Sequence, residues 1–217
     1  MLLYTMSPRE AKTEWEKDNS QLFPKKLTKW YKNVGKSIRL KTKFPAFYKY
    51  EMITKRNNKR YMLVRFESYA DYLIGRNLRV EYSIVNTPNG CRAYIMNYDS
   101  NTMFIYSAHC IKRYSQRWAK GLHNADCVHQ MIKDNLDAKN LKPFFYGNQV
   151  IVRGTYGLFF GKMLDEDLCV FTTFVDNDQL FDEQIATNEY MKDCSVQYLQ
   201  EYREFIDNLS KSLMKIL

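Results

Sequence analysis

The stretch Tyr106-Ser-Ala-His-Cys-Ile-Lys-Arg-Tyr-Ser-Gln-Arg-Trp118 decides how the chain is read. It ends an apolar run and passes into residues spaced for a helix. At 3.6 residues per turn, His109, Arg113, Gln116 and Arg117 share one stripe, while Ile111, Tyr114 and Trp118 share another that can face a core. A strand thus leads into an amphipathic helix whose polar side carries an imidazole and two guanidiniums. The rest of the chain is expected to pack around this junction.

Upstream, Met103 to Tyr106 reads as the strand, preceded by two hairpins. From Phe47 to Phe66, aromatic or aliphatic residues alternate with charged ones around a basic tip, Lys55-Arg56-Asn57-Asn58-Lys59-Arg60. Leu78 to Tyr98 turns at Thr87-Pro88-Asn89-Gly90, and Ser68 to Gly75 reads equally as a short helix or a connection. Ser7-Pro8-Arg9-Glu10 is a helix start, with Ser7 as N-cap and Glu10 as capping-box partner, and the helix runs to about Gln21. Leu22-Phe23-Pro24 breaks it. A basic helix follows from Lys25 to Val34, ending near Gly35; Leu27, Trp30, Tyr31 and Val34 line one side, and Lys25, Lys26, Lys29 and Lys32 fall largely on the other.

Downstream, the helix ends by Gly121, and Asn124 caps a second one carrying Val128, Met131, Ile132 and Leu136. Gln149 to Arg153, Leu158 to Leu164 and Leu168 to Val175 read as an antiparallel meander, with turns at Gly154, Gly157 and Asp165-Glu166-Asp167. From about Glu183, Met191, Cys194, Tyr198, Tyr202, Phe205, Leu209 and Leu213 recur at helical spacing, predicting a long closing helix. The expected fold is α+β: an antiparallel sheet of hairpins plus a three-stranded meander, packed with a central helix pair over 107–136. Residues 1–45 form an N-terminal basic helical arm, and residues 46–217 a single domain.

Composition limits the function classes. Apolar residues make up 45% and aromatics 15% of 217 residues, with eight glycines and five prolines, which describes a globular chain and excludes a disordered one. No signal peptide and no run of eighteen apolar residues is read, so a cytoplasmic protein with no membrane partner is expected. Five widely spaced cysteines fit reduced thiols. Charge is lopsided: net +13 over residues 24–65, +5 over 66–163 and −8 over 164–217. A basic segment interleaved with aromatics is the footprint of a polyanion partner, unless the two ends of the chain neutralise each other.

The helix after Tyr106 carries the candidate chemistry. His109 sits in the first turn, where the positive end of the helix dipole favours an imidazole that accepts a proton. Arg113 and Arg117, each one turn further on, suit a phosphate diester. RNA cleavage needs a base for the 2′-hydroxyl, a cation for charge on phosphorus and an acid for the leaving oxygen. His109 fits the first and Arg113 or Arg117 the second; Tyr156, Tyr106 or another protonated group would be the third. The bland alternative is that His109 caps the helix and the arginines pair with acids near the C-terminus. His123, Cys127 and His129 are metal-ligand types without metal-site spacing, and no phosphate loop or nucleophile elbow is present, so no metal and no cofactor is expected.

The pattern His109-x-x-x-Arg113-x-x-x-Arg117, followed by a second helix and the strands from Gln149 to Val175, resembles the small RelE-type toxin-like ribonuclease domains over roughly residues 103 to 176. The resemblance implies metal-independent RNA cleavage, helices packed on an antiparallel sheet, and further polar groups from the strands: Arg153 and Tyr156 at the first meander turn, Thr172, Thr173 and Asp176 at the end of the third strand. This chain is about twice the usual size and adds the basic N-terminal region and the C-terminal helix. The leading expectation is a nucleic-acid-binding protein, RNA favoured over DNA, with cleavage at His109, Arg113, Arg117 and Tyr156. Its binding groups are Lys25, Lys29, Lys32, Lys55, Arg56, Lys59, Arg60, Arg153 and Thr173. In that arrangement the helix opens onto a cleft with Arg153 or Thr173 across it. The alternative is a non-catalytic interaction protein of phage or mobile-element origin, whose hairpin at 55–60 docks on DNA, RNA or an acidic protein partner. The closing helix offers a homodimer face.

Overall fold

The computed structural model describes residues 1–19, 24–98, 100–136, 143–182, 184–185 and 188–194. Its elements, in chain order, are α1 (Pro8–Asn19), α2 (Pro24–Ile38), β1 (Ala46–Ile53), β2 (Lys59–Phe66), α3 (Tyr69–Leu73), β3 (Leu78–Thr87), β4 (Gly90–Asn97), β5 (Thr102–Tyr106), α4 (Ala108–Arg117), α5 (Asn124–Asn135), β6 (Pro143–Tyr146), β7 (Gln149–Arg153), β8 (Gly157–Asp165) and β9 (Leu168–Asp176). The α+β class holds. The sheet corrects the expectation of a purely antiparallel one: its nine strands run in the order β1-β2-β3-β4-β5-β9-β8-β7-β6, with β5 and β9 parallel. Two antiparallel meanders, β1 to β5 and β6 to β9, are fused at that parallel joint. The α4–α5 pair and strands β6 to β8 lie between β5 and β9 in sequence, which gives the connection length that a parallel pair needs. The second meander also has four strands where three were read, because β6 opens it.

Strand alternation sends side chains into two layers of helix. On one face, α4 and α5 contribute Cys110, Ile111, Tyr114, Cys127, Val128, Met131 and Ile132 against Tyr61, Leu63, Tyr82, Cys91, Ala93, Phe159, Phe171 and Phe174. On the other face, α1 lays Ala11 and Trp15 over Tyr94, Met96, Met103, Ile105 and Leu168. Beside it, α2 lays Val34 and Ile38 over Ala46, Met62, Val64 and Phe66. Helices α1 and α2 therefore form a layer on the sheet.

Local chemistry explains the helix limits. The capping box at the start of α1 is formed in both directions: Ser7 N donates to Glu10 Oε2 at 2.7 Å, and Glu10 N to Ser7 Oγ at 3.3 Å. Ser68 caps α3 by accepting from Asp71 N, which resolves the 68–75 stretch as a short helix. Helix α2 runs through Gly35 to Ile38 instead of stopping there. A Cβ at position 35 would overlap the Tyr72 hydroxyl and ring, so this glycine is a seat for a neighbouring side chain. Residues 188–194 are helical, and Met191 is buried against Ile151 and Leu158. The rest of the expected closing helix, with its proposed dimer face, lies outside the described residues.

Candidate nucleic-acid interface

The basic hairpin tip between β1 and β2 faces inward, toward α1. Arg60 is fully buried: its guanidinium lies 4.0 Å from the Trp15 ring centroid, donates from Nη2 to Trp15 O at 2.5 Å, and stands 3.8 Å from Asp18 Oδ2. Asp18 also accepts from Thr54 Oγ1 at 2.9 Å and from Asn58 Nδ2. Arg56 grips Glu14 with two bonds, Nε to Oε1 at 2.9 Å and Nη2 to Oε2 at 2.6 Å. That contact, the largest influence on it, holds the Glu14 carboxyl at about 2, well below the usual carboxylate range. Lys59 pairs with Glu51 at 2.7 Å. Sequence reading placed Arg56, Lys59 and Arg60 on a polyanion; Arg60 has no surface to offer one, and the other two already hold carboxylates. Of the tip cations, Lys55 is exposed with no ion pair among the described residues.

Among the described residues, the acids that neutralise the tip come from α1 and β1. Asp165 and Asp167, in the β8–β9 turn, instead hold Arg9 and Lys12 of α1. Helix α1 is thus latched at its start to one end of the sheet and at its end to the β1–β2 tip. This places Lys12, Glu14 and Asp18 among the buried residues and removes most of the charge of the turn at 165–167 from the ligand question.

Helix α2 is different. From residue 24 to 43 the chain carries eight Lys and Arg and no acid. The apolar stripe Leu27, Trp30, Tyr31, Val34 and Ile38 is turned to the sheet, so the opposite side must face out. Lys29, Lys32 and Lys36 are exposed along it, and Arg39, Lys41 and Lys43 continue the row in the connection to β1, also exposed. None of these six makes an ion pair among the described residues. Lys25 lies in the first turn of the same helix. At 1.5 Å per residue, Lys29 to Lys36 spans about 10 Å, a run of point charges with no planar fork for reading bases.

The proposed catalytic groups are dispersed. Ser107 caps α4 by accepting from Cys110 N, which sets His109 in the first turn, exposed. Arg113 Nε lies 3.5 Å from His109 Nε2, so these two are neighbours. Arg117 donates from Nη1 to Phe174 O at 2.7 Å, fastening α4 to β9. Tyr156 stacks on Trp118, centroids 3.4 Å apart and planes 20° from parallel. Trp118, expected in the core, is 46% exposed at this end of α4. Arg117 follows His109 by eight residues, about 12 Å of helix axis, with its guanidinium held on β9, and Tyr156 stacks on Trp118 at that same far end of α4.

Nor do the strand residues lie across from the helix. Val150 and Val152 pack under α5, so Arg153, alternating with them, points to the opposite face, where its Nε donates to Asn188 Oδ1 at 3.1 Å. Phe174 packs on Tyr114, which turns Thr173 the other way; Thr172 is the extra residue of a bulge opposite Phe160 and Gly161. The expected cleft between the α4 face and Arg153 or Thr173 is therefore not formed.

Sequence reading passed over the pair Tyr82 and His129. Tyr82 OH lies 2.7 Å from His129 Nδ1, with Tyr61 stacked on Tyr82. Burial pushes the Tyr82 phenol well above its ordinary value and His129 below its own, so both neutral forms are favoured and the two groups share one hydrogen bond. This hydrogen bond joins β3 to α5 at a half-buried position. Cys127 is also buried there, its Sγ 3.6 Å from Ile111 O. Among the described residues no group of three or more His, Cys, Asp or Glu is placed to hold a metal ion, and no helix is long and apolar enough to cross a membrane. The chain matches no family model, no curated protein and no solved structure.

Proposed function

We propose that this chain is a nucleic-acid-binding protein that holds the phosphate backbone along α2 and the following connection, without reading sequence. The observation that carries the reading is the row Lys29, Lys32, Lys36, Arg39, Lys41 and Lys43, exposed and without acid partners among the described residues, while Arg56, Lys59 and Arg60 are occupied. Five of these six are lysines, which give charge without bidentate geometry and so position a backbone rather than discriminate bases. A polyanion on this row releases counterions, which makes affinity fall steeply with salt. RNA cleavage of the RelE type keeps only His109 and Arg113 as adjacent groups, so it stands outside the proposal. Fluorescence anisotropy with a labelled RNA and a labelled DNA duplex tests the binding. Changing Lys29, Lys32 and Lys36 together to Gln should flatten the plot of log K against log salt by roughly 2 to 3 units of slope. Wild-type affinity and slope in that variant would remove α2 from the interface.

A further inference from the structure

The strand β1 has β2 on one side and, among the described residues, no strand on the other. It is eight residues long, and an open edge of that length is a template for another strand. The opposite edge, β6, has four residues and begins with Pro143, which has no N–H to give. We propose that two copies of this chain pair edge to edge through β1, antiparallel, about a two-fold axis at Tyr50.

The sequence of β1, Ala46-Phe-Tyr-Lys-Tyr-Glu-Met-Ile53, is self-complementary in that register. Tyr50 faces Tyr50 of the second copy, and Lys49 faces Glu51, twice by symmetry. Tyr48 faces Met52, and Phe47 covers Ile53, which is 63% exposed in the single chain. Opposed residues in an antiparallel ladder share a face, and this register respects that. Tyr48, Tyr50 and Met52 stay on the α2 side; Phe47, Lys49, Glu51 and Ile53 stay on the α5 side. Moving the axis by one residue sets Lys49 against Lys49 or Glu51 against Glu51, and like charges directly opposite destabilise a pair. A lone lysine in an edge strand repels any incoming strand; a lysine and a glutamate placed evenly about a central residue admit their own copy.

An axis normal to the sheet keeps both α2 helices on one side of the joined sheet. Two copies of the cation row would then serve the same polyanion. The pairing itself does not depend on the nucleic-acid reading, and it is measured without nucleic acid, so either can fail alone.

The test is sedimentation of the full chain over a range of concentrations, with folding of each variant checked by circular dichroism. Wild type should dimerise. Lys49→Glu and Glu51→Lys each set like charges across the axis at two places and should weaken self-association on the order of tenfold or more. An equimolar mixture of these two variants restores both opposite-charge pairs and should form a heterodimer. As a second measurement, Tyr50→Cys should yield a covalent dimer under mild oxidation, and Ile53→Cys should not. A monomeric wild type, dimers unaffected by both charge changes, folded variants that stay apart when mixed, or cross-linking equal at 50 and 53 would each overturn the proposal.

Discussion

Replacing Arg60 by methionine separates two readings of the hairpin tip, one in which its charges face a ligand and one in which they build the core. The guanidinium is fully buried between Trp15 and Asp18, and Asp18 is fully buried with it. Methionine fills much of the volume, so the change leaves little cavity; what it removes is the charge. Asp18 then keeps neutral donors in Asn58 and Thr54, but loses the cation 3.8 Å away. Trp15 O loses its donor at 2.5 Å. Breaking a buried pair by removing one partner costs about 3 to 5 kcal/mol. The two remaining donors to Asp18 argue for the lower half of that range.

Urea unfolding measures the cost. With a slope near 2 kcal/mol per molar, a loss of about 3 kcal/mol lowers the midpoint by roughly 1.5 M at unchanged slope. Adding Asp18→Asn removes the stranded charge, so the double variant should recover at least about half of the loss, the mark of two coupled sites. Nucleic-acid affinity, measured where the variant is folded, should equal that of wild type. A loss under about 1 kcal/mol, the ordinary cost at an exposed cation, would refute the buried latch. So would a double variant no more stable than Arg60→Met alone.

Other outcomes follow from the same contacts. Glu14 has its carboxyl held near 2 by Arg56, so its contribution is complete above the ordinary value of 4.5 and is lost as pH falls from about 5 toward 2; thermal unfolding should show Glu14→Gln less stable than wild type at pH 7, with the gap closing toward pH 2. Gly35→Ala improves helix propensity by about 1 kcal/mol, yet the methyl meets the Tyr72 ring, so a net loss of about 1 to 2 kcal/mol is expected; the sign should reverse in a Tyr72→Ala background. Labelled RNA incubated in chelator with wild type or His109→Ala should bind and stay intact in both, since among the described residues the base and cation at 109 and 113 are adjacent while Tyr156 is stacked at the other end of α4; cleavage by wild type that His109→Ala abolishes would restore the nuclease reading.

What was legible in the sequence was local. The Ser7-Pro8-x-Glu10 start and the Pro88-Asn89 hairpin turn rest on contacts a few residues apart, and the strands at 149–153 and 168–175 show in their own apolar runs between turn residues. The parallel joint of β5 with β9 pairs residues 65 apart, Met103 with Leu168, and no short-range pattern announces it. Pro143-Phe-Phe-Tyr146 is too short to alternate, so β6 carries no strand signature. Gly35 shows a second kind of miss. A glycine near the end of an apolar stripe reads as a stop, and only the third dimension shows the Tyr72 ring that requires it.

The engagement of Arg56, Lys59 and Arg60 was hidden for the same reason in electrostatic form. Counting charge along residues 24–65 found a basic region, but it could not say which cations a fold would use up. Layer position decides that. A strand or hairpin in a sheet covered on both faces meets helices, and the β1–β2 tip meets Glu14 and Asp18 of α1, more than forty residues earlier in the chain. Helix α2 is an outer layer and buries one side. A cation opposite its apolar stripe has no element above it among the described residues, so Lys29, Lys32 and Lys36 stay free by geometry. The charge of Arg56, Lys59 and Arg60 therefore belongs to the fold, and the row on α2 is charge that folding did not cover.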